Sequence, residues 1–272
     1  IHCPDPAGTS HGTPLRLRQA HRSMSRPLHI GLLGAMPEEI GCDLSHLHKL
    51  EIEEHGDLTI HKGLWQDNVQ LTLAWSGWGK VSAARAATRL LAATPSIDLL
   101  LFSGVAGAAD PTLEQWDVLL ADAVVQHDMD ARPLFPRFTL PPLNRDQLKP
   151  QAAWLQWART ALDQAHAAGE LQGFHQPGSG LIATGDRFIG DPDVLDELRG
   201  ALPGLKAVEM EGAAVAQVAE QEGIPWLVLR VISDGADDAA AASFSSFIKD
   251  YEQRAWQLTE ALLKRQDSAP RP

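Results

Sequence analysis

The chain has 272 residues, a formal net charge of −12, 44% apolar residues and two cysteines. That length can form one large α/β domain or two small ones, with a core that needs no covalent staples. No basic stripe interleaves with aromatic residues, which argues against nucleic-acid binding. Cys3 and Cys42 cannot build a disulfide framework or a cysteine-based zinc site, which fits a reducing, cytoplasmic setting. The longest apolar runs, such as LLLFSGVAGAA, fall short of a membrane span.

Residues 1–26 are rich in Pro, Ser, His and Arg and contain no apolar run, so they lack the core of a signal peptide and would not pack. They are expected to be a disordered extension that is not native, with Met24 as the natural start. From Leu28 the pattern alternates. LHIGLLG reads as a buried strand ending in a tight turn, and PEEIGCDLSHLHKL as a short helix with Pro37 and two acids in its first turn. LTIHKG and VQLTLAWSG read as strands joined by a turn near Asp67-Asn68. GKVSAARAATRLLAATP is an amphipathic helix closed by Pro95, followed by strands DLLLFSG and WDVLLADAVVQHD. Residues 131–143 are Pro-rich without a period, carry Phe135 and Phe138, and read as a long excursion whose aromatics mark a surface contact. Next come helix QAAWLQWARTALDQAHAAG, strand SGLIATG, helix DVLDELRGAL, helix EGAAVAQVAEQEG and a last helix from about Ala241 to Arg265. This alternation predicts an α/β fold: one three-layer domain over residues 27–267, with a central mixed sheet flanked by helices and a disordered tail at 268–272.

Two apolar frames hold most of the ionisable chemistry. In AVEMEG, Glu209, Met210 and Glu211 stand between a buried-looking strand and an Ala-rich helix. In LVLRVISDGAD, Arg230, Ser233 and Asp234 end an apolar strand. Open α/β sheets bind ligands where strands stop. A carboxylate in an apolar surround also has the raised proton affinity that a general acid needs. Capping and ion pairing would explain any one of these acids, but three acids in two such frames point to a site.

The pieces GLLGAMPEEI, SGWGKVSAARA, FSGVAGAAD, WDVLLADAVVQHDMD, GLIATGDRFI, AVEMEGAAVAQV and RVISDGAD, in this order over residues 28–266, resemble the bacterial 5′-methylthioadenosine/S-adenosylhomocysteine nucleosidases of the purine nucleoside phosphorylase superfamily. The resemblance implies a nucleoside phosphorylase-like fold, a purine nucleoside substrate, no cofactor or metal, and hydrolysis of the N-glycosidic bond. It implies Asp234 as the acid that protonates adenine N7, with Ser233 orienting it, and Glu39 as the acid that positions and deprotonates water. Glu211 matches the partner of the ribose hydroxyls and Met210 the side chain under the sugar. Val208 and Glu209 precede them in the same frame, Glu209 chiefly as a structural support for Glu211. Phe188 and Ile189 match the adenine pocket, and Ala35, Ala106 and Gly107 line the remainder through backbone atoms. The chemistry agrees, because cleavage builds positive charge on the sugar and negative charge on the purine. Asp234 is expected to hold its proton and Glu39 to stay ionised.

Two positions depart from the family pattern. Val105 replaces a serine in the loop Gly104-Val105-Ala106-Gly107-Ala108. Related phosphorylases hold phosphate with that serine, so Val105 and Glu39 together favour hydrolysis. Trp78 replaces a small aliphatic residue near the 5′ substituent; with Val105 it keeps open a related purine nucleoside hydrolase of futalosine type, a phosphorylase being the remaining alternative. The resemblance also implies a homodimer in which the excursion at 131–143 reaches the partner's pocket, with Phe135 carried over as the contributing residue. Among other residues, His127 with Asp128 and Asp130 has a metal-ligand reading and a more ordinary one at a subunit interface. Trp154 and Trp157 read as packing, Asp186 as the cap of its own turn, and Asp237 and Asp238 as a solvated helix-start pair.

Overall fold

Each apolar run between Gly, Pro and Asn clusters becomes a strand, and each Ala-rich amphipathic run becomes a helix. The computed structural model describes residues 26–41, 44–66 and 68–271. Along the chain these are β1 (Leu28–Gly34), a 3-10 turn (Pro37–Glu39), β2 (Leu47–His55), β3 (Leu58–Trp65), β4 (Val69–Trp75), α1 (Lys80–Ala93), β5 (Leu99–Ala108) and β6 (Val118–Gln126). Then follow α2 (Ala152–Ala167), β7 (Gly178–Thr184), α3 (Pro192–Ala201), β8 (Leu205–Glu209), α4 (Gly212–Glu222), β9 (Trp226–Asp234), α5 (Ala240–Tyr251) and α6 (Trp256–Leu263). Met24, the two cysteines and Asp67 lie outside the described residues.

The strands form one mixed sheet in the order β2-β3-β4-β1-β5-β8-β7-β6-β9, and β9 returns to pair with β5. The sheet therefore curls into a ring of β5, β8, β7, β6 and β9, with β1, β4, β3 and β2 as an open wing. β5 is the junction. Its first half pairs in parallel with β1, its length runs parallel to β9, and Gly107 and Ala108 pair antiparallel with β8. Because side chains alternate across a strand, β5 feeds two cores. Leu99, Leu101 and Val105 face the cluster covered by α2, α5 and α6. Leu100, Phe102 and Ala106 face the cluster covered by α1 and α4, where Ala86, Ala87, Ala213 and Ala216 let the helices approach closely. A smaller core lies under α3, which opens on Asp191 as N-cap with Pro192 next and an Asp193 N–H bond of 3.0 Å.

Four local expectations need correction. The spacing predicts a helix over residues 37–50, but only one 3-10 turn forms; Gly41 turns the chain out of it at φ 91°, and residues 47–55 become the outer strand β2. Its charged side chains are mostly exposed, as an edge strand requires. The last helix is two, α5 and α6, separated at residues 252–255. Residues beyond 267 are not all tail, since a 3-10 turn covers Gln266–Ser268 and Ala269 is buried in the α2/α6 core. In the excursion at 131–143, a series of turns, Phe138 is buried beneath the Arg137 guanidinium (4.6 Å), so it is a core residue and not a surface contact. Trp154 and Trp157 pack edge to face inside α2, consistent with their packing role.

Candidate active site

The ends of β1, β5, β7, β8 and β9 open on one side of the sheet into a cleft. Its lining includes Ala35, Glu39, Trp78, Ala106, Gly107, Phe188, Ile189, Val208, Glu209, Met210, Glu211, Ser233 and Asp234. Phe135 does not line it. Met36, Arg187 and Phe244 also do, and sequence reasoning did not single them out. Phe244 carries the weakest signal of these, being one aromatic on a helix that starts six residues after Asp234, the last residue of β9.

Glu39 reaches the cleft because the 3-10 turn folds it back over the end of β1. One carboxylate oxygen accepts the Ala35 N–H at 2.5 Å and the Met36 N–H at 3.2 Å, and the other accepts the Val105 N–H at 3.1 Å. A side chain at Gly104 would collide with this carboxylate, so the glycine within β5, where the sequence suggests a loop, is what makes its seat. Burial pushes the proton affinity of Glu39 up, while Arg230 and the three N–H donors pull it down. Burial thus works against the ionised form expected of Glu39, and the Arg230 charge and the three N–H donors work for it.

Asp234 ends β9. It accepts the Ser233 hydroxyl at 2.7 Å and the Ala236 N–H at 2.9 Å. Burial raises its proton affinity, with Asp237 adding to the effect and the Ser233 and Ala236 donors opposing it. That is the direction required of a group that donates a proton near neutrality.

Glu209 and Glu211 diverge although two residues apart. Glu209 forms a buried ion pair with Arg230 and accepts the Thr184 hydroxyl, the Glu211 N–H at 3.1 Å and the Gly212 N–H at 2.7 Å. Its lone pairs are committed to the protein. It holds the head of α4 and does not offer a free carboxylate to the cleft. Arg230 in turn lies over the Phe102 ring at 4.2 Å. Glu211 has one donor, the Gly79 N–H at 2.8 Å, which leaves its second oxygen for the cleft. Burial, then Glu209 and Glu39, push it up to about 8.

The rim is aromatic. Phe244 meets Trp78 edge to face at 6.2 Å and Phe188 likewise at 6.2 Å, and Trp78 stays 55% exposed. Asp186 does not cap its own turn; it accepts the Lys80 N–H at 2.7 Å and so caps α1. His127 is buried against Gly185, Asp128 pairs with Lys80 and Asp130 with Arg132, so the metal-ligand grouping of these three has no geometry behind it. Asp237 accepts the Ala239 N–H at 2.9 Å at the start of α5.

A mixed sheet curled on itself gathers the carboxylates of Glu39, Glu211 and Asp234 in a cleft at its strand ends. The family model described as Phosphorylase superfamily matches residues 29–264. A 5′-methylthioadenosine/S-adenosylhomocysteine nucleosidase of Chromohalobacter salexigens is 33% identical over 240 residues, 88% of this chain and 98% of the relative. The chain belongs to the phosphorylase superfamily and, within it, to the 5′-methylthioadenosine/S-adenosylhomocysteine nucleosidase family. The crystal structure of the Neisseria meningitidis nucleosidase in complex with methylthio-immucillin-A aligns with TM-score 0.78 and 28% identity over 87% of this chain and 98% of that one. Futalosine hydrolase of Helicobacter pylori aligns with TM-score 0.78 and 31% identity over 87% and 97%.

Proposed function

We propose that this protein hydrolyses the N-glycosidic bond of 5′-methylthioadenosine and S-adenosylhomocysteine, releasing adenine and the 5′-thioribose. The observation that carries the reading is a pair of acids lining one cleft: Asp234 held by Ser233 and Glu39 held by three backbone N–H groups. Asp234 donates its proton to N7 as the C–N bond lengthens, so the purine leaves neutral. Glu39 takes a proton from the attacking water, and its negative charge also favours the cationic sugar. Glu211 accepts hydrogen bonds from the ribose hydroxyls with its free oxygen, and Met210 lies below the sugar. Ile189 and the half-exposed Phe188 frame the base, with Ala35, Ala106, Gly107 and Val208 completing the walls.

Water is the acceptor in this proposal because the end of β5 has little left for phosphate. The Val105 N–H is already bonded to Glu39, Val105 offers no hydroxyl, and a phosphate would meet the Glu39 carboxylate. A futalosine-type substrate is the second reading. Its support is Trp78, whose indole reshapes the rim, together with the likeness to the Helicobacter pylori futalosine hydrolase.

A homodimer and a cytoplasmic setting belong to the same proposal. Exposed Leu134 (84%) beside half-buried Phe135, and exposed Val81 (80%), give apolar surface for a two-fold contact. Among the described residues, no helix is long and apolar enough to cross a membrane. A panel of purine nucleosides, assayed for free base with and without phosphate, tests the reaction. Ribose-1-phosphate esters formed only in phosphate would exclude hydrolysis. Sedimentation tests the dimer: a fully active monomer at micromolar concentration would exclude the shared site.

A further inference from the structure

Outside the cleft, the QHDMD segment at the end of β6, Asp186 after β7 and Lys80 at the head of α1 converge. The Lys80 ammonium lies 2.7 Å from Asp128 Oδ1 and 3.2 Å from Gln126 Oε1. The other Asp128 oxygen accepts the Asp186 N–H at 2.9 Å. Asp186 Oδ1 accepts the Lys80 N–H at 2.7 Å and stands 3.0 Å from where a side chain on Gly79 would begin. Gln126 donates to Gln217 of α4 at 2.8 Å, tying the group to the helix that Glu211 caps.

The arrangement has a consequence for the cleft. Gly79 holds φ 89° and ψ 161°, a conformation closed to side-chain-bearing residues, and its N–H is the donor to Glu211. The peptide after Gly79 carries the Lys80 N–H, and Asp186 pins that peptide. Asp186 is itself pinned by Asp128. With one side of Gly79 held, its own N–H stays aimed at the carboxylate. The same contacts bind the loop carrying Phe188 and Ile189 to the loop carrying Trp78, so two walls of the cleft keep one spacing.

We propose that Asp186, braced by Asp128, is a positioning residue for Glu211, setting the Gly79 N–H and with it the ionisation and ribose contacts of that acid. The ribose part of this proposal rests on the nucleosidase reading; the part concerning Glu211 itself does not. The competing role for Asp186 is a plain helix cap, whose removal lowers stability and leaves the cleft unchanged.

The test uses the full chain as wild type, Asp186→Ala, Asp186→Asn and Asp128→Ala. The primary readout is the Glu211 carboxyl titration followed by carbon-13 NMR in the ligand-free protein, assigned with Glu211→Gln. The Gly79 N–H lowers the proton affinity of Glu211, so Asp186→Ala should move the titration to higher pH. Asp186→Asn, which keeps the acceptor oxygen, should restore it, and Asp128→Ala should give a smaller shift of the same sign. In the adenine-release assay, Asp186→Ala should raise KM about tenfold with kcat within about threefold. A folded Asp186→Ala protein with an unchanged Glu211 titration overturns the proposal, as does an Asp186→Asn protein as shifted as Asp186→Ala. Lack of base release by the wild type would overturn the nucleosidase reading alone, because the titration still decides the positioning role.

Discussion

The floor and the rim of the cleft are built on opposite terms. On the floor, Glu39, Glu209, Arg230 and Asp234 are buried, and each acid accepts two or more hydrogen bonds from strand ends and the turns beside them. At the rim, Trp78 and Phe188 are largely exposed and are held by edge contacts to one ring of α5. Charge in a dry site interacts strongly and reorganises little, so the floor is where bond breaking can be assisted. Aromatic faces at a wet edge contribute contact area with little directional demand, so the rim is where neighbouring substrates can be told apart. Chemistry sits where the sheet over-determines each group, and selectivity where it does not.

If that contrast holds, floor substitutions should cost far more than rim ones. The largest loss is expected for Asp234→Asn, which cannot donate the proton: kcat should fall by roughly two to four orders of magnitude. Glu39→Gln should fall similarly with little change in substrate binding, and near-normal turnover by either variant would remove the acid and base assignment. Arg230→Met should act on stability, because Glu209 would stay buried without its partner. A loss of about 3–5 kcal/mol in denaturant unfolding is expected, and a change within error would show that the ion pair contributes nothing net.

Glu211→Gln should be milder, raising KM about tenfold with a smaller effect on kcat. Its pH behaviour sharpens the point. Wild-type KM should fall as pH rises through about 8, where Glu211 ionises and can accept the ribose hydroxyls; the variant should lose this dependence. The sign for stability is the reverse. A carboxyl raised from 4.5 to about 8 binds its proton more tightly when folded, so its stabilising effect is present below 4.5 and lost as pH rises through 8. Melting temperatures of wild type and variant should diverge across that window. The smallest effect belongs to the rim. Trp78→Ile should leave kcat on 5′-methylthioadenosine nearly intact and improve kcat/KM for a bulkier 5′ substituent by roughly tenfold. Equal effects on all 5′ groups would show that the indole does not select among them.

Local pattern alone determined a good deal here. The acids at 209, 211 and 234 were legible because apolar runs that stop at carboxylates have few other uses, and most strands and helices were legible from their periods. Local pattern failed where a neighbour in space made the decision. Residues 47–55 have the charge density of a helix face, yet β3 supplies hydrogen-bond partners along their length and makes them a strand. The final helix breaks at 252–255 with neither Pro nor Gly within the break to announce it. Asp186 looks like the cap of its own turn, and only the fold brings it to Lys80 across a gap of 106 residues.

The division is plainest in the pair Glu209 and Glu211. Sequence places both in one frame and cannot tell them apart by type or burial tendency. The tertiary structure separates them by giving Arg230 and Thr184 to Glu209 and a lone backbone N–H to Glu211. The physical reason is that proton affinity and free valence depend on the donors and charges a carboxylate meets in space. In a curled sheet those partners come from residues 25, 21 and 132 positions away along the chain.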